Sequence, residues 1–354
     1  NKNSDWQYLR VNEVYDPATD TWENKAPLPT ISRAGMNAAV ANSSIYIIGG
    51  NPNATLNEAY NPETDTWSTK ASIQYHEETN QSITQFTVEP GHSYFGYAST
   101  VTLDEKIYWI GDMRSTDYPQ QYMLEYNPIN DNWSAGTQPP ALAILRTAIA
   151  TTGIWAHKQI YVANPATAVY NPATNKWSTD TELPVQDGSG YAVVNDKIYC
   201  FGGRYMSMRV VAPSLAVFTG EVVTADNKEY IPLGYGTIPP VVSVVSVQNG
   251  INVGGDVYFD FSVNKRTERI YYSLDGADNQ TVTGNFTITS LAFGWHNIRI
   301  FAADSFGNIG ASETINFTVE LQLFITIMGG AAAAVIVCVA TVLVYFKRKK
   351  GQSI

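Results

Sequence analysis

Along the first 220 or so residues, short apolar runs alternate with short polar turns, and one run keeps returning. Ile45-Tyr46-Ile47-Ile48 ends at Gly49-Gly50, Ile107-Tyr108-Trp109-Ile110 at Gly111-Asp112, Ile160-Tyr161-Val162 at Ala163-Asn164, and Ile198-Tyr199-Cys200-Phe201 at Gly202-Gly203. β-Branched and aromatic runs closed by glycine predict buried strands that stop where the backbone needs an unusual φ. A further strand precedes each run, as in 35–41 with Asn42-Ser43-Ser44 as the turn. After the runs comes a phrase that the chain states four times, at Tyr15 to Trp22, Tyr60 to Trp67, Tyr126 to Trp133 and Tyr170 to Trp177. In each, an Asp or Asn followed by Pro17, Pro62, Pro128 or Pro172 predicts a tight turn, because proline fixes φ and the short polar side chain bonds the backbone beyond it. Tyrosine and tryptophan therefore flank a hairpin, and the unit reads strand, turn, Ile-Tyr strand, glycine pair, Tyr strand, Trp strand.

The phrase tryptophans fall 45, 66 and 44 residues apart, a period of propeller blades with one insertion. Aromatic groups at equivalent points of successive units pack between neighbouring small sheets and give a row of them one continuous core. With Pro29 and Arg33 ahead of the first inner strand, the units resemble kelch repeats over about residues 5–220. That resemblance implies an all-β fold with a kelch-type β-propeller over 1–232. Gly111-Asp112 and Ala163-Asn164 depart from the double glycine, and Leu215-Ala216-Val217-Phe218 stands where the last Tyr-Asp-Pro phrase is expected. The chain also begins in mid-blade. One reading closes a four-bladed ring by pairing the N-terminal strands with the last unit. The other, preferred here, takes 213–232 as that unit's own outer strands and expects further blades upstream; an open propeller of this kind leaves two sheet faces exposed.

Beyond a linker at 233–240, rich in Gly234, Gly236, Pro239 and Pro240, the pattern becomes strict alternation. Val257, Phe259, Phe261 and Val263 face one way and Tyr258, Asp260 and Ser262 the other, and Ile270, Tyr272 and Leu274, then Ile298, Ile300 and Ala302, repeat it. This predicts a small β-sandwich over 241–320. The runs Tyr271 to Gly276, Val282 to Thr287, Gly294 to Ile298 and Ala303 to Asn308 resemble the Ig-like (fibronectin-III-like) domains just outside the membrane anchor of many archaeal surface proteins. The resemblance implies a stalk.

Residues 321–346 carry no charge and are followed at once by Lys347-Arg348-Lys349-Lys350. About 20 apolar residues cross the hydrocarbon core, so the lipid bilayer is a predicted partner of a single transmembrane helix. The basic cluster places the tail, 347–354, in the cytoplasm and the remainder outside the cell membrane. Gly329, Gly330, Ala333 and Ala334 form a small-residue patch suited to a helix-mediated dimer. Without the basic tail the chain holds 18 bases against 32 acids, which excludes a phosphate-binding surface and nucleic acid as a partner. Cys200 and Cys338 are too differently placed to join, so packing must stabilise the fold. Sequons begin at Asn42, Asn53, Asn80, Asn132, Asn279, Asn285 and Asn316, with Asn132 the weakest as an acceptor because it lies inside the repeat phrase.

No catalytic signature, metal ligand set or cofactor motif stands out. A kelch propeller followed by a sandwich is also the layout of copper radical oxidases similar to galactose oxidase, for which Tyr75, His76, Cys200 and His296 are the available residues. The fit is poor, because Cys200 sits in a strand run and His296 opens a sandwich strand. The insertion between Trp67 and Tyr97 carries Tyr75, His76, Phe86, His92 and Tyr94, and is the candidate ligand loop, since long loops in compact folds are usually functional or disordered. The expected activity is recognition or adhesion, with an extracellular protein or glycan as partner; the alternative is a structural envelope protein without a soluble ligand.

Overall fold

The computed structural model describes residues 9–320 except 51, 54, 74–94, 116–117, 141–146, 164–166, 181–182, 184–187, 213–214, 247–250 and 254. Among the described residues the protein is all-β, a series of small sheets that are antiparallel but for one strand pair, and it divides after Ile238 into two compact units. Residues 321–354, with the expected span and its small-residue patch, lie outside the described residues. Among the described residues no helix is long and apolar enough to cross a membrane.

The first unit opens with an isolated hairpin, β1 (Asn12–Asp16) and β2 (Thr21–Lys25). Three four-stranded meanders follow. Sheet I is β3 (Asn37–Ala41), β4 (Ser44–Ile48), β5 (Asn57–Asn61) and β6 (Thr66–Lys70). Sheet II is β7 (Phe95–Leu103), β8 (Lys106–Ser115), β9 (Tyr118–Asn127) and β10 (Asn132–Ala135). Sheet III is β11 (Thr147–Ala150), β12 (Ile160–Ala163), β13 (Ala168–Asn171) and β14 (Lys176–Thr179). Sheet IV has three strands, β15 (Gly190–Val194), β16 (Lys197–Phe201) and β19 (Asn227–Tyr230). Between β16 and β19 the chain makes a separate hairpin, β17 (Arg204–Ala212) with β18 (Leu215–Val223).

The sequence reading of the last unit needs correcting here. Leu215 to Phe218 do not supply its third strand; they pair within the β17–β18 hairpin, and the third place goes to β19, with Tyr230 opposite Ile198. That is the register of Tyr60 opposite Ile45, Tyr126 opposite Ile107 and Tyr170 opposite Ile160. Since β19 fills the place, the N-terminal hairpin does not complete sheet IV, and β1–β2 pairs with no other strand among the described residues.

The first strands of successive sheets lie side by side, β3 by β7, β7 by β11 and β11 by β15. Each interval is filled by one apolar core. Ala41, Tyr46 and Ile48 of sheet I meet Ile107, Trp109, Leu124 and Tyr126 of sheet II. Leu103, Tyr108 and Ile110 meet Ile160, Val162 and Tyr170, and Tyr161, Ala163 and Val169 meet Ile198 and Tyr230. Two-residue turns with positive φ at both positions, Asn42-Ser43, Asp104-Glu105 and Asn195-Asp196, join first to second strands, the geometry whose twist matches paired strands.

The second unit contains β20 (Val242–Val244), β21 (Ile251–Val253), β22 (Val257–Phe259), β23 (Phe261–Val263) and β24 (Arg269–Leu274). It continues with β25 (Gln280–Val282), β26 (Phe286–Ile288), β27 (Gly294–Ala303), β28 (Ile309–Ala311) and β29 (Ile315–Glu320). One sheet runs β21-β29-β27-β24-β25 with β28 beside β27, and two pairs, β20–β23 and β22–β26, stand apart. The alternation read from 257 to 263 is present, with Phe259 fully buried and Tyr258 exposed, but the strand breaks at Asp260 and its halves pair with different partners. Phe286 packs against both halves of the core and stacks on Tyr272 at 4.6 Å. A buried ion pair, Lys265 Nζ to Asp304 Oδ2 at 2.8 Å, ties two of its loops.

Candidate interaction site

The repeat phrase builds the same small device four times. Tyrosine and tryptophan face each other across the hairpin, with ring centroids 5.2, 5.1, 4.9 and 5.2 Å apart for Tyr15–Trp22, Tyr60–Trp67, Tyr126–Trp133 and Tyr170–Trp177. The Asx before proline turns the chain by accepting a bond from the amide two residues on, as Asn61 Oδ1 does from Glu63 at 2.9 Å. The later Asx, at Asp20, Asp65, Asp131 and Asn175, has a φ of 49 to 55° and is one of the few residue types that tolerate it. Its side chain accepts the tyrosine hydroxyl, at 2.7, 2.8, 2.7 and 2.9 Å respectively.

Three of these devices grip the preceding unit. Trp67 Nε1 donates to the Ala26 carbonyl at 2.7 Å, while the Ala26 amide donates to Asp65 Oδ1 at 2.7 Å. Trp133 and Asp131 hold Ala71 in the same way, at 2.7 Å each. Trp177 Nε1 donates to the Thr137 carbonyl at 2.9 Å, and the Thr137 hydroxyl donates to Asn175 Oδ1 at 2.6 Å. Ala26, Ala71 and Thr137 each stand four residues past a phrase tryptophan. On the other flank, the Ile-Tyr tyrosine of one sheet meets the phrase tyrosine of the next: Tyr46–Tyr126 at 5.5 Å, Tyr108–Tyr170 at 6.1 Å and Tyr161–Tyr230 at 6.0 Å. Burial first, then neighbouring acids, raises the phenol pKa of Tyr108 and Tyr126; in Tyr161 burial leads and the Tyr230 hydroxyl adds to it.

Gly50 serves close approach. It has φ +99°, and a Cβ there would come within 2.5 Å of Met36 Cγ and 3.1 Å of the Ala34 carbonyl. Gly49, Gly202 and Gly203 likewise have positive φ, of 73, 60 and 111°.

Three features were missed or only glimpsed in the sequence. Arg33 Nη2 bonds Glu58 Oε2 at 2.6 Å with both side chains fully buried, and Glu58 occupies the register place that Leu124 and Ala168 fill in sheets II and III. Asp196 accepts bonds from the amides of Thr152, Ile154, Trp155 and Ala156 at 2.6 to 3.1 Å. Burial raises its pKa, yet the bonds from Thr152, Trp155 and Ala156 outweigh that and leave it lowered. Tyr230 was legible as Tyr-x-Pro at 230–232.

The candidate ligand loop, Tyr75, His76, Phe86, His92 and Tyr94, lies outside the described residues, as does Asn80. Asn42, Asn279, Asn285 and Asn316 are exposed and Asn53 is half-buried. Asn285 is engaged within its unit, its Nδ2 donating to Asp260 Oδ1 at 2.6 Å. Of the oxidase residues, Cys200 is buried in β16, while His296 in the second unit has Nδ1 2.7 Å from Asp275 Oδ2 and Nε2 2.8 Å from the Ala292 carbonyl. Both ring nitrogens are thus taken by protein partners. Among the described residues no group of three or more His, Cys, Asp or Glu side chains is placed to hold a metal ion.

The chain matches no protein-family profile. It is similar to halomucin of Haloquadratum walsbyi, 37% identical over 97 residues that make up 25% of this chain and 1% of halomucin. Among solved structures, it is similar to YjhT, with a TM-score of 0.39, 12% identity and 83% of this chain aligned to 96% of that one. It is also similar to the extracellular domain of BT4673, a putative one component system of B. thetaiotaomicron (TM-score 0.31, 9% identity, 88% of this chain and 48% of that one). A third is the polysaccharide lyase Uly1 (TM-score 0.31, 9% identity, 87% and 85%).

Proposed function

We propose that the protein is a membrane-anchored, outward-facing recognition or adhesion protein: a row of kelch-type propeller blades presenting loops, an Ig-like stalk, a span at 321–346 and a cytoplasmic basic tail. The observation that carries this reading is what the ionisable groups are used for. Tyr108, Tyr126 and Tyr161, whose burial raises their pKa, sit in the contacts between sheets, and buried Asp196 pins a turn loop, so these perturbed groups serve assembly of the scaffold. Connections between strands are where binding residues belong. Similarity to halomucin supports a place at the cell surface, and the acidic charge balance favours protein or glycan ligands over nucleic acid.

The test is capture on glycan and surface-protein arrays by the full chain, compared with a variant lacking residues 74–94. Binding without turnover, lost in the deletion variant while its unfolding transition is unchanged, supports the reading. Turnover of a bound sugar, or stoichiometric copper in the purified chain, overturns it.

A further inference from the structure

In the second unit β29 ends at Glu320, immediately before the apolar segment 321–346. The strand beside it begins at the same end: Gly294 of β27 pairs with Val319, and Trp295 with Thr318. Trp295 therefore lies about 7 Å along the strand from Glu320, and Phe293 stands just before β27 on the loop at that end. Both rings are exposed, Phe293 by 60% and Trp295 by 80%, the latter the most exposed large apolar side chain among the described residues. Along β27 the inward places go to His296, Ile298 and Ile300, while the outward places after Trp295 hold the polar Asn297 and Arg299. Trp295 thus turns its ring away from the core formed by Ile298, Phe317 and Val319.

The edge that carries these rings is braced. His296, next to Trp295, stacks on Phe317 at 5.6 Å and bonds both the Asp275 carboxylate and the Ala292 carbonyl. The Leu291 amide donates to the Gly255 carbonyl at 2.7 Å, and the Ser290 amide to Asp256 Oδ1 at 3.0 Å. Two aromatic groups on a fixed edge can be buried against a partner at little cost in ordering.

We propose that this edge is a second membrane contact: Phe293 and Trp295 enter the headgroup region of the bilayer that residues 321–346 span, and restrain the tilt of the second unit on it. The contact rests on the membrane-anchored reading given above. On that reading a helix over 321–346 is about 39 Å long against a hydrocarbon core of about 30 Å, so its first residues lie among the headgroups, within reach of Trp295. Tryptophan favours that zone because its apolar ring and its N–H donor each find a suitable medium there. Asp256 and Glu320 are exposed at the same end, so charge does not draw it to an anionic surface, and a zwitterionic lipid suffices.

The full chain reconstituted in phosphatidylcholine vesicles tests this, with lipid brominated near the headgroup end of its acyl chains as a tryptophan quencher. Trp295 is the one tryptophan after residue 238, and Trp295→Phe, an exposed change that should leave the denaturant midpoint unaltered, isolates its emission by difference. Brominated lipid should cut that emission by about twofold or more, and Phe293→Asp, which puts a charge on the edge, should restore much of it. Retention of the chain on the vesicles after an alkaline wash reads the anchor separately and should be the same for every variant. A retained chain whose Trp295 emission ignores the bromine, or quenching unmoved by Phe293→Asp, overturns the second contact and leaves the anchor standing. A chain washed off the vesicles overturns the anchored reading, and this contact with it.

Discussion

Trp67 reaches out of its own sheet to Ala26, donating its indole N–H to that carbonyl at 2.7 Å across 41 residues of sequence. The Ala26 carbonyl also accepts Asn12 Nδ2 at 3.2 Å from its own unit, and its amide is held by Asp65. One backbone residue is thus gripped from both sides. Because Ala71 and Thr137 are held likewise, neighbouring units are locked by polar bonds as well as by the apolar cores between them.

Substitution of the tryptophans should therefore depend on whether a preceding unit fills the grip. Trp133→Ala removes a half-buried ring and the bond to Ala71, and should destabilise the first unit by about 3 kcal/mol. Trp22→Ala, at an exposed ring, should stay within about 0.5 kcal/mol. Denaturant midpoints followed by circular dichroism check the pair; equal losses would contradict the account.

At Asp65 the chemistry of the site can be separated from its backbone geometry. Asn175 performs the same two tasks in sheet III, accepting from a tyrosine hydroxyl and from the preceding unit. Asp65→Asn should accordingly cost no more than about 0.5 kcal/mol. Asp65→Ala loses both bonds and places a residue without a local hydrogen bond at φ 52°, for a cost of about 2 kcal/mol. Urea unfolding of the two variants measures the difference.

Asp196 sets an acid limit on stability. Its folded pKa is lowered, burial notwithstanding, by the amides that surround it, so the unfolded state takes up a proton first as pH falls. The stabilisation is complete above the unfolded value of about 3.9 and is lost as pH falls through the folded one. Asp196→Asn, which cannot accept all those bonds with one oxygen, should lower stability at neutral pH and flatten the decline below about pH 4. Midpoints measured from pH 7 to pH 2, values chosen to bracket about one folded and one unfolded titration, read both effects.

His296 works in the opposite direction in the second unit. The Ala292 carbonyl, then the Asp275 carboxylate, raises its pKa, since both ring nitrogens face acceptors and only the imidazolium satisfies both. A group with a raised folded pKa contributes fully below its unfolded value, about 6.5, and the contribution fades as pH rises through the folded value. Replacing Asp275 by Asn should bring the histidine titration, followed by its ring proton shifts in NMR, back towards the unfolded value.

Much of the scaffold was legible in the sequence because its units repeat the same local physics. Tyr, Asx-Pro, Asx and Trp at fixed spacing encode turn and hairpin together, and four copies make the pattern stand out from chance. Sheet IV was misread because there the hairpin β17–β18 separates strand two from strand three, and because Tyr230-Ile231-Pro232 keeps the tyrosine and proline while losing the later Asx and Trp. The break at Asp260 was invisible for a different reason: alternation fixes which way side chains point, and says nothing of which strand each half pairs with. The grip on Ala26, Ala71 and Thr137 was hidden because its receiving groups are backbone amides and carbonyls, which any sequence supplies.

The most direct test of the recognition reading is capture of glycans and cell-surface proteins by the full chain, with the 74–94 deletion measured beside it. The account predicts saturable binding that leaves the ligand chemically unchanged and disappears with the deletion. Ligand consumed and product released, or binding untouched by the deletion, would contradict it.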